Sequence, residues 1–384
     1  MQTDNSNSEL KLIKPEFDSP LTDLIIDLEK LRTKVLSGTT NPSVFFQLKN
    51  IFHFLESIGS ARIEGNNTTI AEYVENKIDG DQNVNEDIKE IHNIEEAINF
   101  VEESVISHKI DKSFISDIHK IIVKGLSNDK EGDRTPGSYR KTNLRINQSA
   151  HVPVDWIQVD SYMQELLDFI NEDHPAKYDL IKVAIVHHRF LWIHPFGNGN
   201  GRTVRLITYA TLVKSGFNVN IGRILNPTAI FCNDRELYYD RLSNGDANTE
   251  EGLLVWCEYV LKGLKEEIEK IDKLADYDFL RSNILMPSIN FALERRMITD
   301  VEAKILKKVV EKQIIQASDI KYLFLEKADS EISRQIKKLI EKKMIVPVKE
   351  NARKYQLRFD NNYLLRGIIK NLGEQGFLPV KDEQ

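Results

Sequence analysis

His194-Pro195-Phe196-Gly197-Asn198-Gly199-Asn200-Gly201-Arg202-Thr203-Val204-Arg205 is the stretch from which the rest of the chain is read. It lies between two segments whose apolar residues fall at helical spacing, Asp179 to Ile193 and Thr203 to Ser215. Three glycines within five residues mark a loop whose backbone comes close to something, and Arg202 and Arg205 stand three apart on the helix that follows. Two cations on one helix face repel each other, and at its first turn they also meet the positive end of the helix dipole. The arrangement is unfavourable unless an anion sits there, and a polyphosphate supplies one. The Gly199-Asn200-Gly201 segment can turn successive backbone N–H groups inward as an anion nest. His194 stands at the other lip, where a neutral imidazole, with a reference pKa of about 6.5, serves as a proton acceptor. Taken singly, each feature has a plainer reading: a solvated histidine, a turn, an exposed arginine pair. Their fixed order over twelve residues is what points to a site.

Outward from this loop, 384 residues exceed what a single core holds, roughly 250, so two or more domains are expected. With 41% hydrophobic and 29% charged residues the composition is that of a globular protein, and no apolar run approaches the ~20 residues of a membrane span. The N-terminus lacks a basic-then-apolar leader pattern, and Cys232 and Cys257 are too few for a disulfide framework. A cytoplasmic location without membrane contact is the expectation. Charge is uneven: residues 300–359 hold 15 Lys and Arg against 9 Asp and Glu, a net +6, which leaves −13 for the rest of a chain whose total is −7. An acidic body with a basic C-terminal module implies different partners for the two parts.

Asn41-Pro42-Ser43 reads as a helix start, followed by Phe45, Leu48, Phe52 and Leu55 at helical spacing and by a left-handed stop at Gly65-Asn66-Asn67. Ser60 and Glu64, four apart, share one face of its last turn. Helical patterns follow at 70–77, 86–105, 112–126, 156–171 and 179–193, interrupted by a turn-rich segment from Gly132 to Gly137 and a predicted short hairpin from Thr142 to Val154. Beyond the central loop come helices at 203–214 and 252–273 and a helical connector, 277–297, with a break predicted at Pro287. Helices at 300–311, 317–324 and 330–343, then alternating strands at 345–348 and 354–359, have the layout of a winged helix-turn-helix, and a last helix spans 361–372. Arg334, Lys337, Lys338, Lys342 and Lys343 on its third helix would suit DNA phosphates, although such modules also bind proteins or dimerise.

The central run resembles the Fic signature, His-x-Phe-x-Asp/Glu-Gly-Asn-Gly-Arg-x-x-Arg, at every position but one. The resemblance implies a mainly α Fic helical fold with a short β-hairpin flap, followed here by the winged helix-turn-helix. It also implies transfer of AMP from ATP to a Ser, Thr or Tyr hydroxyl of a protein target. His194 would then be the base and Phe196 a core anchor of the loop. Gly199, Asn200 and Gly201 would hold the α- and β-phosphates, and Arg202 and Arg205 the β- and γ-phosphates. The departure is Asn198, where the family has a carboxylate that holds Mg²⁺; a neutral amide is a poorer ligand for that hard cation.

Ser60-Ala61-Arg62-Ile63-Glu64-Gly65 resembles the family's inhibitory motif, which would pair Glu64 with Arg205. Ile146, Asn147, Gln148 and Ser149 resemble the flap that aligns a target segment by strand addition. Tyr238, Tyr239 and Asn244 fall in a segment that resembles the family's stretch lining the adenine pocket, the tyrosines being equally readable as core. The resulting division is 1–110, a helical region with the inhibitory helix at about 45–64; 111–262, the Fic core; 263–298, a connector; 299–362, the winged helix; and 363–384, a tail. Two other readings stay open: a Fic enzyme that uses another nucleotide donor or removes AMP, and a nucleotide-sensing DNA-binding regulator. Assembly into a homo-oligomer is also open.

Overall fold

A computed structural model describes residues 10–33, 39–80, 84–146, 151–217, 227–246, 249–324 and 329–379. In chain order the helices are α1 (Pro20–Thr33), α2 (Pro42–Ile63), α3 (Ile70–Asp79), α4 (Glu86–Ser104), α5 (Lys112–Ile122), α6 (Val159–Asn171), α7 (Asp179–Ile193), α8 (Asn200–Lys214), α9 (Pro227–Cys232), α10 (Arg235–Asp246) and α11 (Glu250–Asp272). There follow α12 (Tyr277–Leu280), α13 (Met286–Glu294), α14 (Asp300–Lys312), β1 (Ile314–Gln316), a 3₁₀ segment (Ala317–Phe324), α15 (Asp329–Glu341), β2 (Ile345–Pro347), β3 (Lys354–Leu357) and α16 (Leu364–Glu374). The fold is mainly helical, as the periodicity predicts.

These elements form two compact units, each assembled from discontinuous segments: Met1–Val35, Glu56–Thr68 and Asn85–Glu269 in the first; Leu36–Leu55, Thr69–Val84 and Lys270–Gln384 in the second.

The first unit is built around α7 and α8, which pack side by side. Both are buried on nearly every face, so neither shows a clean amphipathic stripe. α4 and α5 cover α8, and α6 covers α7. Helix starts are fixed locally: the Asn85 side chain accepts from Ile88 N–H at the start of α4, and Asp111 accepts from Phe114 N–H at the start of α5. α5 ends at Ile122, earlier than its apolar pattern suggests, and Gly125 then turns the chain with φ +64°. The 142–154 segment departs from expectation. Its described arms, 143–146 and 151–155, carry no strand, and Asn147, Gln148 and Ser149 lie outside the described residues.

In the second unit β1, β3 and β2 form an antiparallel sheet in that order, with Ile315 opposite Tyr355 and Val346 opposite Gln356. The sequence predicts two strands of this ribbon, and β1, only three residues long, adds a third. Gln47 of α2 is tied to the end of β3 and the residues after it, donating to Leu357 O at 2.9 Å and accepting from Phe359 N–H at 2.8 Å. Pro287 does not break the connector. A π turn, Arg281–Leu285, widens the helix just before it, so that the proline enters in the first turn of α13, where no donor is required. Basic residues of α15 and of the turn after it are engaged: Lys338 and Lys342 reach the buried Glu302 carboxylate at 3.2 and 2.7 Å, and Arg334 meets Glu331 at 3.0 Å.

Candidate active site

The loop between α7 and α8 is tighter than its glycines alone imply. His194 caps α7 in a left-handed conformation (φ 53°, ψ 64°), its N–H still bonded to Phe190 O at 2.9 Å. A non-glycine residue there is strained and has to be held by its surroundings. The ring Nδ1 donates to Leu191 O at 3.3 Å, which leaves Nε2 with its lone pair. Burial pushes the imidazole pKa down to about 4, against the pull of the Leu191 carbonyl. His194 is therefore a neutral base at pH 7.

α8 begins at Asn200, three residues earlier than its apolar pattern, so Gly201 lies in its first turn instead of in a flexible loop. Gly199 supplies the turn into the helix with φ +73°. Asn200 spends its side chain on the loop itself: Oδ1 accepts from Phe196 N–H and Nδ2 donates to Phe196 O, both at 2.9 Å. What remains for an anion is backbone N–H at the α8 N-terminus. Phe196 is fully buried and stacks on the His119 ring, centroids 3.8 Å apart.

His119 and Asp133, unmarked in the sequence, form the floor. Gly137 N–H donates to His119 Nδ1 at 2.8 Å, which fixes the proton on Nε2, and Nε2 donates to Asn198 O at 3.0 Å. Asp133 accepts from Asn198 N–H at 2.9 Å. Burial holds His119 at about 4, so it too is neutral.

Asn198 is not set up as a metal ligand. Its Nδ2 donates to Lys130 O at 2.8 Å and Gly132 O at 3.2 Å, while Oδ1 accepts from Gly199 N–H at 2.7 Å. The amide thus clasps the Lys130–Gly132 turn, a task that needs donors and that a carboxylate could not perform. Among the described residues no group of three or more His, Cys, Asp or Glu is placed to hold a metal ion.

Both arginines are buried and point into the first unit, where a cation requires partners. Arg205 donates to Ser60 Oγ at 2.8 Å and Ser60 O at 2.9 Å, and pairs with Glu64 Oε1 at 2.7 Å. Ser60 and Glu64 thus meet Arg205 together, as their four-residue spacing on α2 permits. The carboxylate also presses on the α8 N-terminus: a Cβ at Gly201 would lie 2.1 Å from Glu64 Oε1. Burial raises the Glu64 pKa, but the Arg205 and Arg202 guanidiniums outweigh it, and the carboxyl stays below its ordinary range.

Arg202, fully buried, has partners that sequence reasoning missed. Glu90 of α4 holds it at 2.8 Å, and Glu131 at 2.7 Å. Burial pushes both of these carboxyls up, against the pull of Arg202. Asn66, in the turn after α2, donates to Glu90 Oε2 at 2.8 Å and so links the Glu64 turn to the Arg202 cluster. Three carboxylates thus surround two guanidiniums. No sequence spacing marks Glu90 or Glu131; only packing brings them there.

The two tyrosines separate. Tyr238 is core, its hydroxyl 2.9 Å from His187 Nε2, and His187 Nδ1 lies 2.7 Å from Thr208 Oγ1. Tyr239 is 45% exposed with the Arg235 guanidinium over its ring, and Asn244 is exposed two turns or less from it on α10. Of the pair, Tyr239 is the one free to stack on a planar group.

Residues 109–212 match the Fic/DOC family model. The protein adenylyltransferase Fic of Nematostella vectensis is 28% identical over 200 residues, 50% of this chain and 43% of that one. The protein adenylyltransferase fic-1 of Caenorhabditis elegans is 27% identical over 129 residues, 33% of this chain and 25% of that one. The matches therefore span less than half the length of these curated relatives. Among solved structures, a Fic family protein from Desulfovibrio desulfuricans G20 aligns with a TM-score of 0.54 at 18% identity, covering 90% of this chain and 98% of that one. Fic-1 of C. elegans aligns at 0.53 and 19%, covering 65% and 71%. The structural likeness is one of fold.

Proposed function

We propose that the chain, whose residues 109–212 match the Fic/DOC family model, is an autoinhibited protein adenylyltransferase that moves AMP from ATP to a Ser, Thr or Tyr hydroxyl of a protein, itself included. The observation that carries this reading is the Glu64 carboxylate on Arg205 and against Gly201, occupying with a protein anion the place where a phosphate would sit. His194 Nε2 takes the proton of the acceptor hydroxyl. The hydroxyl oxygen bonds to the α-phosphorus, the bond from that phosphorus to the bridging oxygen breaks, and pyrophosphate leaves with the electron pair. The N–H groups at the α8 N-terminus, with Arg202 and Arg205, receive the phosphate charge once the carboxylates let go. Tyr239 and Asn244 form the adenine side.

The donor set does not fit a protein-held Mg²⁺ at Asn198, whose amide is committed to Lys130, Gly132 and Gly199. A divalent ion accompanying ATP would draw on phosphate oxygens and water. The DNA-binding alternative is weakened by the engagement of Lys338 and Lys342 with Glu302 in the winged-helix-like module. No helix among the described residues is long and apolar enough to cross a membrane.

Mass spectrometry of the Glu64→Gly chain after incubation with ATP tests the proposal. Addition of AMP that vanishes in Glu64→Gly, His194→Ala is the expected result. Nucleotide binding without transfer would move the reading to a nucleotide sensor.

A further inference from the structure

One buried cation in the first unit is used neither by an anion nor by the inhibitory turn. Arg140 is 5% exposed, and the hydrogen bonds of its side chain go to backbone carbonyls, with Asp155 acting on it only at longer range. These carbonyls are His194 O at 2.8 Å, Ile193 O at 3.3 Å, Thr142 O at 3.0 Å and Val154 O. Its own N–H adds a bond to Pro195 O at 2.8 Å. Burial lowers its pKa, opposed by Asp155.

The acceptors fall into two sets. Ile193 O and His194 O belong to the C-terminal end of α7, where carbonyls lack helical partners and the helix dipole is negative, so a cation is stabilised there. These bonds hold the peptide that follows the strained, left-handed His194. Thr142 O and Val154 O lie where the 143–153 segment leaves and returns. Its ends are braced again by Asn143, which donates to Asp155 at 3.1 Å and accepts from Trp156 N–H at 2.8 Å. A planar fork with five donors reaches both sets at once; a lysine ammonium, a single point charge, cannot.

We infer that Arg140 is a positioning residue: it fixes His194 in its left-handed conformation by tying the carbonyls that end α7 to those of Thr142 and Val154, so that the base is held in place. The inference rests on the proposed AMP transfer, in which His194 is the base.

The test uses the Glu64→Gly chain as enzyme, ATP as donor and the full-length His194→Ala chain as protein acceptor, with Arg140→Lys and Arg140→Gln introduced into the enzyme. Expected are a tenfold or greater fall in kcat for both variants and a KM for ATP within twofold of the parent. The titratable and charged groups that act on His194 are His151, Glu64 and Arg140. Arg140→Gln, which removes a cation, should move the acid limb of the pH profile to higher pH, whereas Arg140→Lys should leave it in place. A kcat within twofold of the parent in both variants overturns the inference. So does a parallel loss of kcat, ATP affinity and Tm, which is what a purely structural residue gives. Should the Glu64→Gly parent transfer no AMP, the proposed function fails instead. The NMR chemical shifts of the His194 ring in Arg140→Lys, which keeps the charge, then decide: displaced shifts support the positioning role, and shifts unchanged from the parent overturn it.

Discussion

Replacing Glu64 with glycine removes the carboxylate that holds Arg205 and leaves the rest of its setting intact. Ser60 still receives two of the guanidinium's N–H bonds, at 2.8 and 2.9 Å, so the arginine stays in place. The Glu64–Arg205 contact is 2.7 Å, with Arg205 at 2% and Glu64 at 27% side-chain exposure. Breaking a buried pair by deleting one partner costs about 3–5 kcal/mol, and the partial exposure of Glu64 places this pair near the lower figure. If an incoming phosphate has to displace the carboxylate, the same ~3 kcal/mol is a barrier to productive binding in the parent. At about 1.4 kcal/mol per tenfold, its removal should raise AMP incorporation about 100-fold. Glu64→Gln, which keeps the shape and drops the charge, should fall between the two. In the absence of nucleotide the glycine variant should also melt lower, because the Arg205 charge is left without its counter-ion, and ATP should restore the difference. The assay is transfer of label from α-labelled ATP at pH 7.5, with Tm measured in parallel. Incorporation by Glu64→Gly within twofold of the parent, with ATP demonstrably bound, would refute the displacement argument.

Asn66→Ala removes the amide bonds to Glu90 and to Asp87 O, a loss of about 1.5 kcal/mol or more for a bond to a charged group, and should raise auto-modification about tenfold by loosening the inhibitory turn; unchanged labelling counts against the link. Asn198→Asp sets a carboxylate against the Lys130 and Gly132 carbonyls, so it should lower Tm in chelator by the equivalent of about 1–3 kcal/mol, read from thermal melts with EDTA and with Mg²⁺. His194, held at about 4 by burial, is neutral from mildly acid pH upward. The acid limb of kcat/KM for Glu64→Gly should therefore lie well below pH 6.5, and a limb at 6.5 would contradict the buried-base picture. The same shift has a stability consequence: below the unfolded pKa of about 6.5 the unfolded chain binds a proton that the folded one refuses, so folding weakens as pH falls from there towards 4. Tyr239→Ala should raise the KM for ATP several-fold with little change in Tm, while Tyr238→Ala should mainly destabilise, since Tyr238 is core.

Much of the site is legible in the chain because its parts are local. His194, Gly199, Gly201, Arg202 and Arg205 fall within twelve residues, and Ser60 and Glu64 are separated by one helical turn, so spacing places each set together, while their roles come from the family resemblance. The Glu64–Arg205 pair spans 141 residues and is readable only through the family resemblance. Glu90 and Glu131 on Arg202, and Arg140 beneath His194, have no such pattern. Each is an ordinary charged residue until packing brings it to a buried partner. Asn198 shows the limit from the other side: the sequence marks it as a weak metal ligand, while the fold gives it a different task, donating to two carbonyls.

By itself the sequence determined most of the helices and the glycine and arginine loop between two of them, because helix periodicity, turn chemistry and charge repulsion act between near neighbours; the roles of His194 and Glu64 came from the family resemblance. The tertiary structure decided which carboxylates satisfy the two arginines, which tyrosine stays exposed and what holds His194 in a strained conformation. Those are long-range matters. They depend on which groups are left buried without water, and only a packed interior chooses the partners that make such burial tolerable.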